Sequence, residues 1–90
     1  QTILQLLKSG QSDQGLEQAR QMDTWWDEKA PMVEVLINHE ATDDVRFTLS
    51  RLVAALEGED CEEAIVFARE LEGGIEHVLE RQVLSLQNLL

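Results

Sequence analysis

Apolar residues recur every three or four positions along much of the chain, the spacing that places side chains on one face of an α-helix. One such face runs across residues 14–38, with members Leu16, Ala19, Met22, Trp26, Ala30, Val33 and Ile37. Pro31 falls inside this run, and proline kinks or ends a helix because it lacks an amide hydrogen and crowds the preceding turn. Because the face keeps its phase across Pro31, we predict one helix over residues 14–38, kinked near residues 28–31. Two helices that meet at Pro31 are the alternative, since proline also suits a first helical turn.

Shorter apolar stripes before and after this run predict three more helices. The first lies within residues 1–8, the third follows a tight turn at residues 39–42, and the last begins after Gly58. Their apolar members are Ile3, Leu6 and Leu7, then Val45, Leu49, Leu52 and Leu56, then Ala64, Phe67, Ala68, Leu71, Ile75 and Val78. The pair Gly73–Gly74 interrupts the last stripe and predicts either a kink or a close approach of another helix.

Polar residues at the predicted helix starts are candidate N-caps, whose side chains accept hydrogen bonds from free backbone N–H groups. We expect Ser12 or Asp13 to cap the second helix and Thr42 to cap the third. Asp60, with Glu63 three residues later, matches a capping box for the last helix.

The predicted fold is all-α: a small antiparallel bundle of three long helices and a short N-terminal helix, in a single domain over residues 1–90. The chain also contains a weak internal repeat: Leu6-Leu7-x-x-Gly10 before the second helix resembles Leu52-Val53 and Leu56-x-Gly58 before the last. A duplicated helical hairpin would produce this repeat. Any two amphipathic hairpins would do so as well, and that is the interpretation we favour.

Acidic residues outnumber basic ones by 18 to 7, which gives a net charge of −11 and a pI near 4.3. This balance argues against nucleic acid and against an anionic membrane surface as partners, because both require clustered lysine and arginine. The single cysteine, Cys61, excludes an internal disulfide and a multi-thiolate metal site. We expect it to be a half-buried structural residue, because the neighbouring carboxylates disfavour a reactive thiolate. No catalytic triad, phosphate-binding glycine loop or H-E-x-x-H motif is present, so we expect no enzymatic activity and no cofactor.

Two histidines, each next to a glutamate, form the most informative set of polar residues. The third helix rises about 22 Å and the fourth descends about 25 Å to His77, so an antiparallel pair brings His77 level with His39. Together with Glu40 and Glu80, the two imidazoles offer ligands for zinc or another divalent cation. Structural caps and hydrogen bonds are the alternative we favour, and a pH-sensing role for the imidazoles is a third.

Trp25 and Trp26 point about 100° apart on a helix, so only one of them, Trp26, fits the apolar face. Trp25 is expected at the edge of that face or in solvent, where it is a candidate contact for a protein partner, because large aromatic residues are enriched at binding hot spots. The alternative, which we favour, is that Trp25 covers the first helix. Leu86, Leu89 and Leu90 form a candidate apolar tail, which would make the chain self-associate.

A pattern of scattered residues runs from Trp26 to the end of the chain: a tryptophan in a helix, a hydrophobic run that ends in a histidine and an acid, an amphipathic helix, a late histidine and a Leu-x-Asn-hydrophobic ending. Its members are Trp26, Leu36-Ile37-Asn38-His39-Glu40, Leu52, Ile75-Glu76-His77 and Ser85-Leu86-Gln87-Asn88-Leu89-Leu90. Over about residues 25–90 the chain therefore resembles the small bacterial proteins grouped as domain-of-unknown-function family 4363. Members of that family begin with a membrane segment, so the resemblance implies the soluble, extracytoplasmic part of a longer protein anchored upstream of Gln1. The family has no established activity.

The function predicted from these features is a non-enzymatic helical module at the cell envelope that binds an unknown protein partner. A small metal-binding or pH-responsive domain built on His39 and His77 is one alternative, and a self-associating module is another. The metal-binding alternative requires the two imidazoles to lie within a few ångströms of each other. No run of about 18 apolar residues is present, so we expect no direct membrane contact from these residues.

Overall fold

The computed structural model describes the backbone of residues 1–36 and 39–89 and, within these ranges, the side chains of residues 1–29, 31–32, 40 and 42–78. The described backbone forms four helices, α1 (Ile3–Lys8), α2 (Ser12–Leu36), α3 (His39–Glu57) and α4 (Cys61–Leu89), and it contains no strand. The all-α prediction is confirmed.

The four helices bury their apolar stripes in one shared core. α3 and α4 make the most extensive helix–helix contact, α2 packs on α3, and α1 packs on both α2 and α4. Leu49 and Leu52 of α3 are fully buried, because α3 is covered by α2 as well as by α4. The rest of the core cluster consists of Ile3, Leu7, Ala19, Trp26, Val45, Ala55, Leu56, Ala64, Ala68, Leu71 and Val78. Removal of this apolar surface from water is what stabilises the assembly of helices, at about 25 cal/mol per Å².

α2 is a single helix that contains Pro31, in place of two helices that meet at that residue. It is described over Ser12–Leu36, and the predicted end at Asn38 lies outside the described residues. The kink predicted near residues 28–31 stays a prediction. Continuity through Pro31 places Trp25 and Met32 on one helix, two turns apart.

A three-residue connection joins α1 to α2. The N–H of Gln11 donates to the carbonyl of Leu6 at 2.8 Å, and the N–H of Gly10 donates to the carbonyl of Leu7 at 3.2 Å. These are the two bonds of a Schellman motif, which satisfies carbonyls at a helix C-terminus. Gly10 has a φ of +79°, the left-handed conformation that the motif requires and that glycine adopts at little cost.

The predicted N-cap of α2 is wrong. Ser12 is the first residue of the helix and Asp13 the second, while the carbonyl of Gln11 accepts a hydrogen bond from the N–H of Gly15 at 3.0 Å. Gln11 therefore occupies the cap position. The Schellman motif of α1 also ends at Gln11, so α2 begins at the next residue. Ser12 and Asp13 are therefore already inside the helix, whereas an N-cap residue lies just before it.

An equivalent three-residue connection joins α3 to α4. The N–H of Asp60 donates to the carbonyl of Ala55 at 2.9 Å, and the N–H of Glu59 donates to the carbonyl of Leu56 at 3.1 Å. In this connection the left-handed residue is Glu59, with a φ of +59°, and Gly58 lies one position before it. α3 does end ahead of Gly58, as predicted, but the glycine does not take the conformation for which glycine is normally selected.

Asp60 is the N-cap of α4, as predicted, but the predicted capping box is only half formed, because the N–H of Asp60 donates to the carbonyl of Ala55. The Oδ1 atom of Asp60 accepts a hydrogen bond from the N–H of Glu63 at 3.2 Å. α1 has a complete capping box that the sequence analysis missed: Thr2 Oγ1 accepts from the N–H of Gln5 at 3.2 Å, and Gln5 Oε1 accepts from the N–H of Thr2 at 3.0 Å. The Thr-x-x-Gln spacing is the sequence signature of this motif and was available to be read.

The predicted cap at Thr42 is also wrong. α3 begins at His39, so Thr42 lies inside the helix, and its side chain is fully buried. The turn predicted for residues 39–42 contains neither glycine nor proline, so nothing in its backbone chemistry ends a helix. Glu40 in the first turn of α3 instead has the charge that a helix N-terminus favours.

The pair Gly73–Gly74 lies within α4, where it marks an approach of α3. A Cβ atom built on Gly74 would lie 3.5 Å from Cγ2 of Val45, which is ordinary van der Waals contact. A Cβ built on Gly73 would meet nothing within 4 Å. Only the second glycine therefore faces another helix, and neither position requires glycine for space.

Candidate functional site

The tryptophan pair divides between the core and the surface. Trp26 is buried at 9% exposure, whereas Trp25 is 49% exposed. The two ring centroids lie 5.4 Å apart and the ring planes cross at 85°, an edge-to-face contact of the kind that aromatic quadrupoles favour. The contact holds the exposed indole against a side chain that the core already fixes, so Trp25 has little rotational freedom to lose when it binds a partner.

Trp25 belongs to a stripe on α2 that lies beside the core stripe and shares Met22 with it. Its members are Gln18, Met22, Trp25, Lys29 and Met32, separated by four, three, four and three residues. The first two contact the start of α1: Gln18 Nε2 donates to the carbonyl of Gln1 at 3.1 Å, and Met22 lines a cavity with the first residues of α1. The stripe is therefore the face of α2 that packs on α1, and it continues beyond α1.

The part of the stripe beyond α1 is exposed. Trp25 lies about 10 Å along the helix axis from Gln18, which is bonded to Gln1, and Met32 lies about 10 Å further. Met32 is 60% exposed, and Lys29 between the two is exposed as well. We call Trp25, Lys29 and Met32 the open stripe. Trp25 is about half exposed, and the favoured interpretation that its indole covers the first helix stays a prediction.

The opposite flank of α2 is occupied by α3. Arg20 Nη2 lies 3.3 Å from Glu57 Oε1, and Arg46 Nη2 lies 2.6 Å from Asp27 Oδ1. Both pairs join α2 to α3, and all four side chains are substantially exposed, so each pair contributes little to stability. The two pairs show on which side of α2 its neighbour packs: α3 lies on one flank of α2, and the open stripe lies on the other.

Two other large apolar side chains are exposed within the described part of the chain, Phe47 at 66% and Val66 at 50%. Each stands alone on the outer face of its own helix, opposite the core stripe of α3 or α4, and single exposed apolar residues are normal. Trp25 and Met32 differ because they are neighbours on one helical stripe. Met32 was not predicted as a contact residue, although its seven-residue spacing from Trp25 places both side chains on the same helical stripe.

Only two of the four predicted histidine–glutamate side chains, Glu40 and His77, are among those that the structure describes. His77 and Glu40 are exposed, on α4 and in the first turn of α3. The side chains of His39 and Glu80 lie outside the described set, and among the described side chains no three His, Cys, Asp or Glu groups are placed to hold a metal ion. The predicted cluster of His39, Glu40, His77 and Glu80 stays a prediction.

The thiol of Cys61 is exposed, so its predicted half-buried position is wrong. Cys61 is the first residue of α4, and it lines a groove of about 480 Å³ with Leu16 and Arg20 of α2 and Glu57 of α3. The side chain misses the core because the core stripe of α4 starts three residues later, at Ala64.

The predicted apolar tail falls mostly outside the description. Leu86 and Leu89 lie within α4, but their side chains are not among those described, and Leu90 lies beyond the described residues. Self-association through this tail stays a prediction. No helix in the described ranges is both long and apolar enough to cross a lipid bilayer.

Comparison with known proteins gives one match. No curated protein and no solved structure matches the chain. A family model described as Domain of unknown function (DUF4363) matches residues 1–89. The match includes α1 and the first half of α2, which lie outside the resemblance over residues 25–90. The chain therefore belongs to the family of the Domain of unknown function (DUF4363), as the sequence pattern predicts.

Proposed function

We propose that this chain is a non-enzymatic interaction module that binds a protein partner through the open stripe. The observation that carries the proposal is the exposure of Trp25, whose indole is held by the buried ring of Trp26 and has Met32 two turns away. Tryptophan is the residue most typical of binding hot spots, and a fixed exposed ring binds without a large loss of side-chain entropy.

The remaining features of the chain are compatible with this role. The family has no known function, and the sequence contains no nucleophile–base–acid set that would favour an enzyme. A small four-helix domain offers one rigid surface more readily than a deep cleft, because most of its apolar residues are needed for its own core. Placement at the cell envelope rests on the family resemblance alone and is part of the proposal.

We further propose that the helices form an antiparallel bundle, which sets the direction of the open stripe. The two ion pairs support this arrangement, because they join Arg20 to Glu57 and Asp27 to Arg46, so that the positions rise along α2 as they fall along α3. The three-residue connections before α2 and α4 favour antiparallel neighbours as well.

The proposal is tested by site-specific photo-crosslinking in cells. A photoreactive phenylalanine analogue replaces Trp25 in the full-length protein, and the same analogue replaces Phe47 as the control, because Phe47 is at least as exposed and lies on a different helix. We expect a discrete crosslinked product with a different protein from position 25 and none from position 47. Products of equal yield from both positions, or none from position 25, would contradict the proposal. A product of twice the mass of the chain would favour the self-associating alternative.

A further inference from the structure

We draw no further inference here: the strongest candidate, the groove of about 480 Å³ that the starts of α2 and α4 form with the end of α3, is lined by a cluster of acidic side chains and the lone cysteine Cys61, and nothing among the described residues shows what would occupy it.

Discussion

The connection between α1 and α2 and the connection between α3 and α4 have the same length and the same pair of backbone hydrogen bonds, but different residues in the left-handed position. The first has Gly10 at a φ of +79°, and the second has Glu59 at a φ of +59°. A residue with a Cβ atom in this conformation costs roughly 1–2 kcal/mol. The same turn is therefore built once with a residue suited to it and once with a residue that strains it.

The two connections differ in how extensively the helices that they join are packed. α3 and α4 make the most extensive helix–helix contact, and the side chain of Asp60 caps the helix that follows. That packing tolerates a strained residue. α1 has only six residues, of which Ile3, Leu6 and Leu7 are buried, so its attachment to the core has less stabilisation to spare. Glycine at position 10 matters for this reason.

The largest effect is expected from Gly10→Ala, which would make the first turn as strained as the second. We expect the free energy of unfolding to fall by about 1–2 kcal/mol, because alanine in the left-handed region is destabilised and the packing of α1 cannot compensate. Thermal denaturation followed by circular dichroism should show a melting temperature lower by about 4–8 °C per kcal/mol.

Gly73→Ala is the matched control, since a Cβ atom at that position in α4 meets nothing within 4 Å. The free energy of unfolding should rise by about 0.5–1 kcal/mol, because alanine is the better helix former. If both variants lost stability by similar amounts, the left-handed conformation of Gly10 would not be what separates the two turns.

The helices could be predicted from the sequence because apolar residues recur every three or four positions along each of them. The stripes that contain Leu49, Leu52 and Leu71 match the buried faces, since burial of one face is what forms the helix. Each N-cap depends on a single residue, and these predictions were less reliable. Asp60 was correctly predicted as an N-cap, whereas Thr42 was not an N-cap. Threonine is a weak helix former, but tertiary packing overrides that preference when the residue is buried, and burial cannot be read from the neighbouring residues.

The candidate site shows the same limit. The exposure of Trp25 follows from its angle of about 100° to Trp26, so the sequence predicted it. The role of Met32 depends on where α1 ends along α2, a contact between segments distant in sequence. Gln1 meets Gln18, and the side chains of Trp25 and Met32 that follow on the same stripe are exposed. Periodicity identifies a second stripe but does not tell which part of it another helix covers.

An intermediate effect is expected from Glu59→Gly, which would give the second turn the residue of the first. Relief of the left-handed strain should raise the free energy of unfolding by about 0.5–1 kcal/mol, measured by urea denaturation. Glu59→Gln is the control, because it removes the same negative charge without changing the backbone preference. An equal gain from glutamine would mean that charge, in a chain with a net charge of −11, and not conformation sets the cost at this position.

The smallest effect is expected at the residue that ends each turn and caps the next helix. Asp60 caps α4 with its side chain, whereas Gln11 is shown accepting only through its carbonyl. Gln11→Asp would give α2 a capping carboxylate, and aspartate is among the preferred N-cap residues. We expect a gain of about 0.5 kcal/mol in the free energy of unfolding, reduced from the usual capping value by repulsion from nearby Asp13. Gln11→Glu is the matched control, since it adds the same charge near the same helix N-terminus on a side chain that is poorly suited to capping. A gain from aspartate alone would assign the difference between the two turns to the capping hydrogen bond, and equal gains from both variants would assign it to the helix dipole.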